Sequence, residues 1–299
     1  MITEATITLL LQAIVVGLLT GGIYALFAVG LSLILGVADI MTFVHGDFLM
    51  IAMYLTLAAV VATGAEPYVG IILVVPGMAM LAYFSFKYLP AVTKITAFPH
   101  MRQMLYMLGF SYLLQNLILM FVGARHQIIS TSLTKYNFFV GDVFVSMPRL
   151  LAGVVSVILT ITLMWVIKYT DLGRIIRAAS QDREAASLMG INVDKTYMLT
   201  WIIGIGSLGF AGPLLAPIFA FYPIVGNYYL MIGFMCVVMG GLGNIGGALI
   251  GGIIMGVALE LGNVFLPGSS GPILPFLVFV GVLVFKPEGI FGKPIRSKR

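Results

Sequence analysis

The chain has 299 residues, 61% of them hydrophobic and only 9% charged, with a net charge of +5. A soluble domain carries roughly 25% charged residues, so this thin polar complement excludes an aqueous globular fold. Mean hydropathy is +1.11, and the pattern reads as an all-α integral membrane protein of about eight or nine transmembrane helices, some broken or re-entrant.

The N-terminus, Met1-Ile2-Thr3-Glu4, lacks the basic region of a cleaved signal peptide. The first apolar run, 8–35, is therefore expected to remain as the first span. Apolar runs follow at 48–63, 68–86, 104–122, 150–167 and 196–221. The next, 228–264, is too long for one ordinary helix. A hairpin of two short glycine-rich helices is expected there, broken near Gly243-Asn244-Ile245-Gly246, before a short last span at 273–285. Non-helical backbone at membrane depth survives only where protein or a water-filled cavity satisfies it, so a broken element would line a path. No stretch is left for a soluble catalytic domain of about 100 residues.

Lysine and arginine accumulate in cytoplasmic loops. All but Arg125, Lys135 and Arg149 fall in three segments: Lys87 to Arg102, Lys168 to Lys195, and the tail from Lys286. Those three are expected inside and the segment from Arg125 to Arg149 outside. The positive charge then marks topology and contact with membrane lipid, and no nucleic-acid partner is expected. Cys236 is the only cysteine, which excludes an internal disulfide and a Cys-based metal cluster. His100 and His126 sit in separate loops, and no metal site is expected.

The Lys168 to Lys195 segment punctuates itself as two short helices. Asp182 can cap the second, Glu184 suits its first turn, and Gly190 supplies a left-handed stop. Ala185 and Ala186 keep one side thin, and Leu188 and Met189 add apolar grip. Residues 169–194 are thus expected to form a compact knob that another protein's cleft can receive.

Asp39, His45 and Asp47 cluster after the first run, and Glu260 lies within an apolar one. Such groups are costly near spans unless paired, hydrated or functional. Asp47 can cap the helix that follows it, pair with His45, or line a translocation path with His45 and Gly46. Gly243, Gly247 and Gly251 recur every four residues, as do Gly252 and Gly256, forming stripes where helix backbones can approach.

Glu184-Ala185-Ala186 followed by Gly190 resembles the EAA coupling motif of ABC-importer permeases, which docks into an ATPase subunit. Together with Gly190-Ile191-Asn192-Val193-Asp194-Lys195, Phe43-Val44-His45-Gly46-Asp47-Phe48, and the run from Gly240 to Ala248, it makes the chain similar to the branched-chain amino acid permease family, H-type subunit, over about 21–292. The resemblance implies a single transmembrane permease domain over 1–299, in a bacterial inner (plasma) membrane. It also implies a second related permease subunit, two cytoplasmic ATPase subunits and an extracytoplasmic solute-binding protein.

By the same resemblance Arg174, Arg177, Glu184, Ala185, Ala186, Leu188 and Gly190 would serve ATPase coupling. Tyr24, His45, Gly46, Asp47, Asn244 and Glu260 would be candidates for the translocation pathway. Branched-chain amino acids are the first expected cargo, with urea and short amides second. The family commonly has Asn-Phe-Ala-His-Gly where this chain has Thr42-Phe43-Val44-His45-Gly46. No P-loop and no defensible catalytic dyad or triad occurs, so neither cofactor nor catalysis is expected. A secondary transporter or channel is the alternative.

Overall fold

The computed structural model describes residues 2–38, 40, 42–89, 100–140, 143–268 and 270–292. Asp39, Lys94 and the tail beyond Gly292 lie outside the described residues. The helices are α1 (Ile2–Val37), α2 (His45–Thr63), α3 (Ile71–Tyr88), α4 (His100–Val122), α5 (Met147–Tyr169), α6 (Asp171–Gln181), α7 (Arg183–Leu188), α8 (Val193–Leu215), α9 (Val225–Gly240), α10 (Ile245–Phe265) and α11 (Ile273–Phe285). Seven of these are long and apolar enough to cross a membrane, and α9 and α11 are shorter apolar helices. The protein is an all-α membrane protein.

The expected break in the long apolar stretch lies between α9 and α10. Gly241 and Gly243 there have φ of +99° and +77°, a region that favours glycine, and Asn244 Oδ1 accepts from Gly247 N–H at 3.0 Å to start α10. Gly243 thus belongs to the turn and not to the helical stripe expected of it.

The sequence reading had no counterpart for a β-hairpin of β1 (Asn137–Val140) and β2 (Val143–Ser146), which pairs Phe138 with Val145 and Phe139 with Phe144. Four-residue strands are too short to register against the long apolar runs around them. The Phe139 and Phe144 rings meet edge to face at 5.7 Å.

Two compact units divide the chain. The first comprises Met1–Val29, Ser130–Thr160 and Ile232–Arg299. Its organiser is α10, which carries two glycine stripes. Gly247 and Gly251 meet the backbone of Gly240 and Cys236 on α9, whereas Gly252 and Gly256 meet Ala25 and Gly21 on α1. In both pairs the numbers run in opposite directions, so each is antiparallel. In a bilayer, association gains from such bare backbone contact because lipid already solvates apolar side chains.

The second unit comprises Gly30–Ile129 and Ile161–Met231. Helix α8 is its centre, with α2 and α3 packed alongside. The fully buried Trp201 donates from Nε1 to Ser85 Oγ at 3.0 Å and presents an edge to Phe48 at 6.2 Å. Gly209 faces Val75 of α3, and Gly212 faces Ala52 of α2. Trp201 beside Ser85 and Gly209 beside Val75 make α3 and α8 antiparallel. Lys87 and Lys195 therefore share one end of this unit, as the charge pattern requires.

Some hydroxyls within the spans are satisfied locally. Thr56, Thr200 and Ser207 donate to carbonyls three or four residues earlier, at 2.7 to 2.8 Å, whereas the buried hydroxyls of Ser32, Tyr54, Ser156 and Thr160 make no hydrogen bond among the described residues.

Candidate functional site

The knob forms as two capped helices. Thr170 Oγ1 accepts from Gly173 N–H at 3.3 Å at the head of α6, and Asp182 Oδ1 accepts from Ala185 N–H at 3.0 Å at the head of α7. Gly190 turns the chain at φ +84°, and Asn192 then caps α8 by accepting from Lys195 N–H at 3.0 Å. Arg174 pairs with Asp171, and Arg177 donates to the Ile167 carbonyl. Both arginines therefore brace α6.

Ala186 is buried, and its carbonyl accepts from Ile191 N–H at 3.1 Å. The thin side expected of Ala185 and Ala186 is thus divided: Ala186 seats α7 on its own unit and Ala185 stays exposed. At the tip, Leu188 is 88% and Met189 83% exposed. Two large apolar side chains in sequence, held out by a short rigid helix, form a surface suited to an apolar cleft.

The second place of interest lies where α2 and α9 begin. Phe48, in the first turn of α2, packs against Trp201, which stands about 12 Å past the first residue of α8. Helix α2 therefore starts partway along a span, and α9 starts against it. A Cβ on Gly46 would stand 2.0 Å from Gly226 O, so the two N-terminal turns touch through bare backbone. No side chain caps α2, whose N-cap residue is Val44.

Asp47 does not cap α2, because its carboxylate turns across the unit. Its Oδ1 accepts from Gln115 Nε2 of α4 at 2.8 Å. The same Nε2 reaches Ser111 Oγ and Asn227 Oδ1, each at 3.2 Å. Asp47 is 1% exposed, and its Oδ2 makes no hydrogen bond among the described residues. His45 is equally buried, its ring beside Gly30 of α1. The sequence reading did not single out Ser111, Gln115, Asn227 or Gly226. The available signal was an amide in the middle of an apolar helical run.

Thr42, at the departure from the family pattern, is buried, and its hydroxyl accepts from Val44 N–H at 3.2 Å. An asparagine side chain can make the same local turn, so the exchange preserves a backbone role.

The other three pathway candidates belong to the first unit. Tyr24 is buried in α1. Asn244 caps α10 and donates from Nδ2 to Phe291 O at 3.0 Å. Glu260 stands about 24 Å from Asn244 along the same helix. It lies 3.8 Å from Arg149, and Thr20 and Asn263 also donate to its carboxylate. These three do not gather around one another, whereas Gly46 and Asp47 meet Gly226 directly and Asp47 shares Gln115 Nε2 with Asn227.

Broken helices that meet at a buried carboxylate, in a polytopic helical protein, are the build of a transport permease. The family described as branched-chain amino acid transport system / permease component matches residues 13–284, and the chain belongs to that family. It is 29% identical to the high-affinity branched-chain amino acid transport system permease protein LivH of Escherichia coli K12, over 95% of this chain and 96% of the relative. The LivH protein of Salmonella typhimurium shows the same identity and coverage. BraD, the corresponding permease protein of Pseudomonas aeruginosa, is 28% identical over 95% and 96%. No solved structure matches the chain.

Proposed function

We propose that this chain is the membrane-spanning permease subunit of an ABC importer in a bacterial inner membrane, moving branched-chain amino acids without catalysing a reaction itself. The relatives' names support the cargo, and the 169–194 knob supports the drive. A capped, self-braced pair of helices with Leu188 and Met189 in water at its tip is a mechanical input surface, to be filled by a cytoplasmic ATPase. Two such ATPases, a second related permease and an extracytoplasmic binding protein complete the proposed assembly. The pathway passes the junction of α2 and α9.

Reconstitution tests this directly. Leucine import into proteoliposomes that hold both permease subunits, with the binding protein outside, is expected only when the ATPase subunits and ATP are present inside. In cells, a cysteine at Leu188 in a Cys236→Ala background should react with impermeant thiol reagents only from the cytoplasmic side. Uphill import by the lone chain, or labelling of that cysteine from outside, would overturn the proposal.

Glu260 we assign to anchoring. Its carboxylate ties α10 to Arg149 of α5 and Thr20 of α1. The pair is partly exposed, with side chains 26% and 15% accessible, so its loss should cost about 1–3 kcal/mol, between surface and buried pairs. Glu260→Gln is expected to lower the thermal unfolding midpoint while leaving leucine import per folded transporter unchanged. A normally stable variant with import abolished would place Glu260 on the pathway instead.

A further inference from the structure

In the cluster around Gln115 one carboxylate oxygen lacks a donor. Gln115 Nε2, with two hydrogens, reaches Asp47 Oδ1, Ser111 Oγ and Asn227 Oδ1, and the Ser111 hydroxyl adds a third hydrogen that also serves the Asp47 carboxylate. The carboxylate fixes this orientation, since turning Gln115 Oε1 toward it would set oxygen against oxygen. Asp47 Oδ2 remains buried without any donor among the described residues. A buried carboxylate in that condition is costly unless something supplies charge and hydrogens.

Among the described residues no lysine or arginine pairs with Asp47. Neither α2 nor α9 contains Lys or Arg, while Arg102 on α4 and Lys195 on α8 are exposed. The one titratable neighbour on the same turn, His45, has its ring against Gly30. The missing component is a compact cationic group with about three hydrogens to give, which describes an ammonium. Beside it, Phe48 packs with Phe110 and Trp201 at 6.3 and 6.2 Å, an apolar wall for an attached hydrocarbon chain.

We propose that Asp47, with Asn227 and Ser111, forms a transit subsite for the α-ammonium group of an amino acid. This rests on the reading that the junction of α2 and α9 lies on the pathway. Asp47 Oδ2 would take a charge-assisted hydrogen bond from the guest, with Asn227 Oδ1 and Ser111 Oγ sharing the other hydrogens between guest and Gln115.

The test uses the assembled transporter with Cys236→Ala and Ser111→Cys, which keeps a small, weakly accepting atom in place. Modification of the new thiol by a small methanethiosulfonate is followed with L-leucine, 3-methylbutylamine, 4-methylpentanoate or sodium chloride present. Leucine and the amine are expected to slow modification, and the acid and the salt are not. Asp47→Asn should raise the half-protecting concentration roughly 10- to 100-fold, the worth of a charge-assisted hydrogen bond. Asn227→Leu should raise it less, and serves if the Asp47 variant fails to fold. Equal protection by 4-methylpentanoate, or none by either amine-bearing compound in a thiol that reacts, overturns the subsite and leaves the pathway standing. Protection by sodium alone replaces the ammonium with a metal cation and also overturns it. A thiol that no reagent reaches in any state of the ATP cycle overturns the pathway reading, and the subsite with it.

Discussion

Replacing Leu188 by Asp is expected to cut import by roughly 10- to 100-fold, the loss of an apolar anchor at an interface hot spot, while the permease stays folded and inserted. The prediction follows from what Leu188 does not touch. At 88% exposure it leaves no cavity when removed, and α7 keeps its Asp182 cap and the turn at Gly190. What changes is the tip, where a carboxylate would have to be desolvated inside an apolar cleft. ATP hydrolysis by the associated subunits should continue, so the readout is solute imported per ATP hydrolysed. Gly190 offers an internal control. Nothing stands within 4 Å of a Cβ built there, but φ is +84°, so backbone strain and not crowding decides. Gly190→Asn, which tolerates that region, should couple better than Gly190→Val, for which it is an outlier. Unchanged stoichiometry in Leu188→Asp would remove the knob from the drive.

Legibility in the sequence followed the length scale of each interaction. Spans and the α9–α10 break were readable because apolar runs and the Gly240-Gly241-Leu242-Gly243-Asn244 punctuation are local. The knob was readable for the same reason: Asp182, Gly190 and the exposed Leu188–Met189 pair act within a few residues of themselves. Ala186 was not, because whether an alanine faces inward depends on the strand of chain returning at Ile191. Asp47 shows the limit more sharply. Its neighbours in sequence suggested a cap or a partner in His45, but residues two apart on a helix do not face each other. Its partner is Gln115, 68 positions away. Glu260 likewise finds Arg149, which charge counting had placed simply in an outside segment. The two glycine stripes of α10 were visible as a period, and only the fold shows that they serve two different helices.

That double use makes Gly256 the position with the largest expected effect on folding. A Cβ there would stand 2.3 Å from both Cα and N of Gly21 and 2.5 Å from Gly17 O. All three are backbone atoms, so no rotamer change relieves the clash, and helix α1 must move as a whole. On its other stripe α10 is equally constrained, since a Cβ on Gly251 would stand 2.3 Å from Cys236 O; it cannot back away without opening that contact. Gly256→Ala is expected to cost about 1–3 kcal/mol, the usual penalty for overpacking, and to lower the unfolding midpoint in detergent. Gly256→Leu should leave almost no folded permease, as read by size-exclusion profiles of a fluorescent fusion. Gly206, which has nothing within 4 Å of its Cβ position, is the matched control, and Gly206→Ala should behave as wild type. If Gly256→Leu folded and imported normally, the contact between α1 and α10 would have to be abandoned, and with it the packing of the first unit.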